Sequence, residues 1–221
     1  MEVTTLKLKN KRILFLGDSI TEGVGASAYD KSYVPVFARL SGAEVENYGI
    51  GGTRIAKQTE KTQEQWDRDF VGRIDEMADD ADVVVVFGGT NDFGHGDAQI
   101  GNFASRSEYT FYGALHSLCI KLLNKYPTAQ IVFVTPLHRE SENTKINSRG
   151  IPTKMPLSGY VQIIKEVASY YGFPVLDLFA TSGIQPGVGV IKQLYMPDGL
   201  HPSDLGAARI AERLYGFLST L

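Results

Sequence analysis

Ser19 follows a short apolar run directly and precedes a segment of helical character. A serine at this point can cap the helix with its hydroxyl. It can also be a nucleophile, because the free N–H groups at a helix N-terminus stabilise the negative charge that develops on an attacked carbonyl. The sequence Gly17-Asp18-Ser19-Ile20-Thr21 lacks the second glycine of the G-x-S-x-G nucleophile elbow, which disfavours an ordinary α/β-hydrolase.

His201 is one of only four histidines, and Asp198 lies three residues before it. A nucleophilic serine needs a base, which is usually histidine. Gly199 permits a tight turn, so the Asp198 carboxylate could reach the His201 ring and hold its tautomer. The alternative is an Asp-Gly turn followed by a histidine that caps the last helix.

Two further segments contain groups that could donate hydrogen bonds to an oxyanion. Asn91 offers a side-chain amide, and the adjacent Gly51 and Gly52 offer backbone N–H groups. Asparagine and glycine are also common in turns, so a purely structural role accounts for them equally well. Taken together, however, these residues and the Ser19 and His201 segments supply every group that acyl transfer requires.

Five short apolar runs predict five strands. Most of the polar groups named above directly follow one of these runs, so the strands would position them. Each run has five or six residues and is nearly continuously apolar, which is typical of buried parallel strands. Ligands in such sheets bind beyond the carboxyl ends of the strands. The predicted strands are residues 12–16, 44–48, 82–87, 130–135 and 174–178.

Apolar residues at helical spacing predict five helices between and after these runs. The alternation of strands and helices implies an α/β fold, a three-layer α/β/α sandwich with right-handed crossovers. The five stripes are Tyr33, Val36, Phe37 and Leu40; Trp66, Phe70, Ile74 and Met77; Leu115, Leu118, Cys119 and Leu122; Tyr160, Ile163, Ile164 and Val167; and Leu205, Ala208, Leu214 and Phe217 or Leu218.

Two long irregular stretches, residues 93–107 and 138–156, leave from predicted strand ends. Loops of this length in a compact domain are often functional, so both could wall a pocket; mobile surface loops are the alternative. Possible substrate contacts near these strand ends are Asp18, Phe93, His138 and Arg139.

The composition predicts one globular domain over residues 1–221, with 43% hydrophobic and 21% charged residues. A net charge of −3 and the absence of a basic run argue against nucleic-acid binding. The single cysteine, Cys119, excludes an internal disulfide. The apolar runs are too short for a signal peptide or a membrane span, so a cytoplasmic protein without membrane insertion is expected. The composition does not predict an oligomeric state.

The motifs together resemble those of the SGNH hydrolases, also called GDSL-type esterases and lipases. The four blocks run in the family's order over most of the chain. They are matched by Gly17-Asp18-Ser19-Ile20, by the glycines of Asn47-Tyr48-Gly49-Ile50-Gly51-Gly52 (best by Gly52, with Gly51 as the alternative), by Gly89-Thr90-Asn91-Asp92 and by Asp198-Gly199-Leu200-His201-Pro202.

The resemblance implies a flavodoxin-like sandwich with a five-stranded parallel sheet, and hydrolysis of esters through an acyl-serine. Ser19 would attack the carbonyl carbon, His201 would transfer the proton, and Asp198 would orient His201. The oxyanion would be bound by the N–H groups of Ser19 and Gly52 and by the Asn91 amide. The resemblance implies neither a metal nor a cofactor.

The expected substrate is a small-molecule ester with a short acyl group, such as an acetylated carbohydrate. Within the same family, a lysophospholipase or an acyl-thioesterase is the alternative. A protein of another class, a flavodoxin-like FMN- or ligand-binding protein without hydrolase activity, could use Ser19 and Thr21 to cradle a phosphate. A family member that binds a ligand and has lost its activity is the remaining possibility.

Overall fold

The computed structural model describes residues 8–221 and has one parallel sheet at its centre. The sheet order is β2-β1-β3-β4-β5, and every neighbouring pair is parallel. This confirms the predicted five-stranded α/β/α sandwich. The strands are β1 (Arg12–Gly17), β2 (Glu44–Gly49), β3 (Val83–Phe87), β4 (Gln130–Val134) and β5 (Val175–Leu176).

Nine α-helices, several of only one turn, surround the sheet in the described part of the chain. Two 3-10 turns, Tyr29–Lys31 and Ile74–Glu76, complete the regular structure. The helices are α1 (Ser19–Glu22), α2 (Tyr33–Ser41), α3 (Phe70–Arg73), α4 (Thr90–His95), α5 (Phe111–Lys125), α6 (Leu157–Tyr170), α7 (Leu178–Thr181), α8 (Gly189–Tyr195) and α9 (Asp204–Leu218).

Alternate residues of each central strand pack against opposite helical layers. In β1, Leu14 and Leu16 join the core under α3, α5 and α6, whereas Ile13 and Phe15 join the core under α2 and α9. Because both faces of the sheet are covered, its central strands are apolar without alternation. That coverage explains why these strands are recognisable in the sequence.

The direction in which successive strands are added to the sheet reverses after β2. From β1 the chain crosses to β2 on one side, and the next strand, β3, lies on the other side of β1. A crevice forms at such a switch point, beyond the carboxyl ends of the strands. The segments that follow β1, β2 and β3 therefore converge there, and they contain Ser19, Gly52 and Asn91.

The fifth strand is shorter than predicted. Of residues 174–178, only Val175–Leu176 pair with β4. The Asp177 side chain accepts a hydrogen bond from the Ala180 N–H at 3.1 Å and caps α7, which begins at Leu178. The cap turns the chain out of the sheet two residues earlier than the apolar pattern indicates.

The stripe from Trp66 to Met77 does not form the predicted continuous helix. Asp69 caps α3 by accepting from the Gly72 N–H, and α3 passes directly into a 3-10 turn. Trp66 lies in a turn before the helix. Its indole ring packs on Gly52 instead.

The last helix matches its predicted stripe in its second half, where Leu214 and Leu218 are buried, but not at its start. Leu205 is 55% exposed, whereas Ala207 and Ile210 are buried against the sheet. No helix among residues 8–221 is both long enough and apolar enough to cross a membrane.

Candidate active site

Ser19, His201 and Asp198 form a continuous chain of hydrogen bonds. His201 Nε2 lies 3.0 Å from Ser19 Oγ, and His201 Nδ1 lies 2.7 Å from Asp198 Oδ2. The carboxylate can only accept, so the neutral ring carries its proton on Nδ1 and leaves Nε2 to accept from the serine hydroxyl. This is the tautomer that a general base beside a serine requires.

Hydrogen bonds between the Asp198 carboxylate and the backbone stabilise the turn that contains Asp198 and His201. Asp198 Oδ1 accepts hydrogen bonds from the N–H groups of Leu200 and His201 at 2.9 and 2.7 Å. Gly199 adopts φ +78, which favours glycine, and its carbonyl accepts from the Glu140 N–H at 2.8 Å. The ring therefore meets Ser19 from a rigid turn rather than from a free loop.

The Asp198 carboxylate is held in its charged form. Partial burial would raise the pKa of Asp198, but hydrogen bonds from the backbone and ring of His201 and from the Leu200 N–H outweigh it and lower that pKa. An ionised Asp198 stabilises the imidazolium that forms when His201 takes up a proton.

Ser19 occupies the first position of α1. Asp18 caps this helix by accepting from the Ile20 N–H at 3.0 Å. Within residues 8–221 the N–H of Ser19 has no acceptor, as expected of the first turn of a helix. Ser19 is 8% exposed. The site thus presents a shielded hydroxyl beside an available donor.

The two glycines after β2 have different roles. The Gly51 N–H donates to Glu22 Oε2 at 2.8 Å, and the Gly51 carbonyl accepts from Gln65 Nε2 at 3.1 Å. The Gly52 N–H, by contrast, has no acceptor in the described part of the chain. Of the two candidates, only Gly52 therefore keeps a free backbone donor.

Asn91 lies in the first turn of α4 and is 5% exposed. Its Nδ2 donates one hydrogen to the Thr53 carbonyl at 3.0 Å. An amide has two N–H bonds, so the second remains for another acceptor. The bond to Thr53 also ties α4 to the loop that contains Gly52.

Two buried charged residues, to which the sequence analysis assigned no role, hold together the segments that follow the strands. Arg73 Nη1 donates to the Gly17 carbonyl at 3.1 Å and to Thr53 Oγ1 at 2.9 Å, and its Nη2 donates to the Tyr48 carbonyl. Burial lowers the pKa of Arg73 to about 10. In the sequence, the only indication of this role is that Arg73 stands within the apolar stripe that contains Phe70 and Ile74.

Asp92 is the second such residue. It is 4% exposed, and its two carboxylate oxygens accept from the N–H groups of Ile55 and Ala56, both at 2.9 Å. Burial raises the pKa of Asp92 to about 6, against the effect of these hydrogen bonds. Asp92 therefore fastens the segment after Gly52 to α4.

The four predicted substrate contacts lie in different surroundings. Arg139 Nη1 donates to the carbonyl and hydroxyl oxygens of Thr90, one residue before Asn91. Phe93 is 2% exposed and packs in the core. His138 is hydrogen-bonded to Glu142 and packs on the Phe179 ring. Arg139 thus borders the first turn of α4, which contains both Asn91 and Phe93.

Asp18, the fourth predicted contact, is buried at the centre of the site. It is 2% exposed. Burial raises the pKa of Asp18 to about 7, although the hydrogen bond from Ile20 and the charge of Arg73 act in the opposite direction. Its carboxyl therefore stabilises α1 and titrates near neutrality.

We expect Asp18→Asn to flatten the pH dependence of the unfolding free energy between about pH 4 and 7. In the folded state the pKa is raised, so the folded chain binds the proton more tightly and its stability falls as the pH rises through this window. Each pKa unit corresponds to about 1.4 kcal/mol. Asparagine keeps an acceptor for Ile20 and carries no charge, so the variant should be more stable than wild type at pH 8.

Urea unfolding at pH 5 and pH 8 measures this difference. The matched control is Asp79→Asn, because the Asp79 side chain is fully exposed. A loss of stability at pH 8 in Asp18→Asn alone would mean that Arg73 and Arg139 hold the carboxylate charged, contrary to the prediction.

No group of three or more His, Cys, Asp or Glu side chains in residues 8–221 is arranged to hold a metal ion. Cys119 is fully buried, and burial raises the pKa of its thiol far above the ordinary value. Burial therefore keeps this thiol protonated near neutral pH.

The chain is similar to several known proteins over most of its length. A model described as the GDSL-like Lipase/Acylhydrolase family matches residues 15–209. A solved structure from Lactobacillus plantarum shares 30% identity with a TM-score of 0.81, over 95% of this chain and 97% of its own. Another solved structure shares 36% identity with a TM-score of 0.85, over 98% and 99% of the two chains.

More distant structures share the fold. The lipase/acylhydrolase from Enterococcus faecalis is 21% identical, with a TM-score of 0.65 over 95% of both chains. A search of curated protein sequences finds no match.

Proposed function

The chain belongs to the GDSL-like lipase/acylhydrolase family, and from this premise we propose that it is a serine ester hydrolase that works through an acyl-serine intermediate. Membership confirms the resemblance to the SGNH hydrolases. The observation that carries the proposal is the hydrogen-bonded chain from Ser19 through His201 to Asp198.

In the first half of the reaction, Ser19 Oγ attacks the ester carbonyl carbon and its proton passes to His201 Nε2. The carbonyl oxygen becomes an oxyanion, which the N–H groups of Ser19 and Gly52 and the Asn91 amide would bind. When the tetrahedral intermediate collapses, the bond to the alcohol oxygen breaks and His201 returns the proton to that oxygen. The acyl group remains on Ser19.

Water completes the cycle. His201 takes a proton from a water molecule, which attacks the acyl carbon of the acyl-serine. Collapse of the second tetrahedral intermediate releases the carboxylic acid, and the proton on Nε2 returns to Ser19 Oγ. Asp198 stays ionised throughout and balances the charge of the imidazolium.

We propose esters with short acyl groups, such as acetylated carbohydrates, as substrates. The polar segment 140–149 follows Arg139 and suits a polar alcohol better than a lipid. A lysophospholipase or acyl-thioesterase would instead need space for a long acyl chain. Hydrolysis of p-nitrophenyl esters from acetate to decanoate separates these substrates, with acetate expected to be the best.

The FMN-binding alternative has less support. A phosphate cradle after β1 would use the hydroxyls of Ser19 and Thr21. The Thr21 side chain is fully buried, and its hydroxyl shares a hydrogen bond of 2.9 Å with the Tyr33 hydroxyl. Ser19 is the partner of His201.

The experiment that tests the proposal is covalent trapping with a fluorophosphonate, followed by mass spectrometry of the intact protein and its peptides. One label for each chain, on Ser19, is the expected result. Ser158→Ala, which removes an exposed serine on α6, should be labelled like wild type. A label on any other residue, or none at all, would contradict the proposed nucleophile.

A further inference from the structure

Trp66 lies against the backbone of Gly52. A Cβ atom added to Gly52 would overlap the indole ring, at Cδ1 and Nε1. Gln65, the residue before it, binds the Gly51 carbonyl. A Cβ on Gly51 would lie 3.6 Å from Ser19 Cβ, so the segment of Trp66 borders the nucleophile.

The ring of His95 continues this surface. Its centroid lies 4.6 Å from that of Trp66, and the two planes are inclined by 34°. His95 is four residues after Asn91, so both side chains project from the same face of α4. The two rings, which we call the acyl wall (Trp66 and His95), thus stand beside the two donors Gly52 and Asn91.

A buried arginine fixes the acyl wall from behind. Arg54 is 1% exposed, and its Nη2 donates to the Trp66 carbonyl at 3.0 Å and to Asp67 Oδ1 at 2.8 Å. Its Nη1 donates to His95 Nδ1 at 3.3 Å. An arginine cannot accept a hydrogen bond, so Nδ1 is unprotonated.

The wall is therefore uncharged near neutral pH. Burial, with the charges of Arg54, Arg139 and Arg149, lowers the pKa of His95 to about 4. A rigid, uncharged aromatic surface favours contact with an apolar group over contact with a sugar hydroxyl or a phosphate.

The position of His201 decides which part of the ester meets this wall. His201 lies against Gly25 and leads into α9, on the α2 and α9 side of the sheet. The wall lies on the other side of the sheet: Trp66 precedes α3, and His95 is in α4. Phe93 of α4 belongs to the core under α3, α5 and α6. His201 must protonate the leaving oxygen, so the alcohol faces α9 and the acyl group points away from it.

We propose that the acyl wall of Trp66 and His95 contacts the acyl group and limits it to short chains. This inference rests on the proposed esterase function and names the residues that determine its specificity. The methyl group of an acetyl ester would pack on the indole. Each further methylene would have to displace an indole ring that packs on His95 and Gly52, in a residue whose carbonyl Arg54 binds.

Replacing Trp66 with alanine should shift the preference towards longer acyl groups. Where the space is opened, burial of one methylene favours binding by about fourfold. Butyrate has two more methylenes than acetate, so the ratio of kcat/KM for p-nitrophenyl butyrate to that for acetate should rise by about 15-fold in Trp66→Ala. Trp66→Phe keeps an aromatic ring and should change the ratio much less.

The matched control is Tyr215→Ala, which removes a partly exposed aromatic side chain near the far end of α9. An equal fall for all chain lengths in Trp66→Ala, or an unchanged ratio, would overturn the inference. Absence of Ser19-dependent hydrolysis in wild type would instead overturn the proposed function, so the two failures are distinguishable.

A second readout does not depend on turnover or on the folding of the alanine variant. Trp66 is the only tryptophan, so tryptophan emission of the wild type reports on the wall alone. Phosphonylation of Ser19 with a methylphosphonate probe should change this emission, because the methyl group would contact the indole. Unchanged emission after complete labelling would contradict a contact between the wall and the acyl position.

Discussion

Ser19→Ala is expected to lower kcat/KM for p-nitrophenyl acetate by about 10⁴- to 10⁶-fold. The substitution removes the atom that forms the acyl-enzyme and leaves His201 without a proton to accept from it. The oxyanion donors remain, so a small acceleration over water should persist. No other described contact of the Ser19 side chain is lost, and the melting temperature should change little.

Initial rates at several substrate concentrations, with thermal unfolding as the check on folding, measure this effect. Ser158→Ala should retain wild-type kinetics because its side chain is exposed on α6. Hydrolysis that survives in Ser19→Ala at more than a few per cent would require another nucleophile or a contaminating esterase. Active-site titration of the wild type with the fluorophosphonate distinguishes these two explanations.

Gly52→Ala is expected to lower kcat/KM by about 10²- to 10³-fold, the usual effect of losing one oxyanion donor. Gly52 adopts φ +76, and its added Cβ would overlap the Trp66 indole. Because Arg54 and His95 hold Trp66 in place, the loop must move instead of the ring. That movement displaces the Gly52 N–H from the oxyanion.

Gly150→Ala is a closely matched control for backbone strain. Gly150 adopts φ +75, nearly the same conformation, but a Cβ there would meet no atom within 4 Å. Both variants pay the left-handed backbone penalty of about 1–2 kcal/mol, and only Gly52→Ala should lose activity. Equal kcat/KM in the two variants would exclude Gly52 as an oxyanion donor.

The sequence predicted the sheet well because burial on both faces makes its strands apolar throughout. Val83 to Val86 are all buried, alternately in the two cores. The polar residues that follow such runs stand out, which is why Ser19 and Asn91 could be identified as candidates.

Predictions failed where capping side chains overrode apolar spacing. Asp177 begins α7 inside the predicted fifth strand, and Asp69 begins α3 inside the predicted second helix. Apolar periodicity also cannot distinguish an aromatic side chain of the core from one that packs on a loop. Trp66, predicted as part of a helix stripe, packs on Gly52, and Phe93, predicted as a possible substrate contact, is buried in the core.

The strand ends and the polar residues beside them could be predicted from the sequence, because local spacing and the burial of whole strands mark them. Which distant groups meet could not be predicted, because it depends on how the separate elements pack. Ser19 and His201 are 182 residues apart. Glu22 and Gln65 bind the N–H and carbonyl groups of Gly51. Within residues 8–221, only Gly52 of the two neighbouring glycines therefore has a backbone N–H that is free to donate. Arg54 binds the carbonyl of Trp66, whose ring lies against Gly52, and no periodicity encodes these contacts because they depend on how separate elements pack.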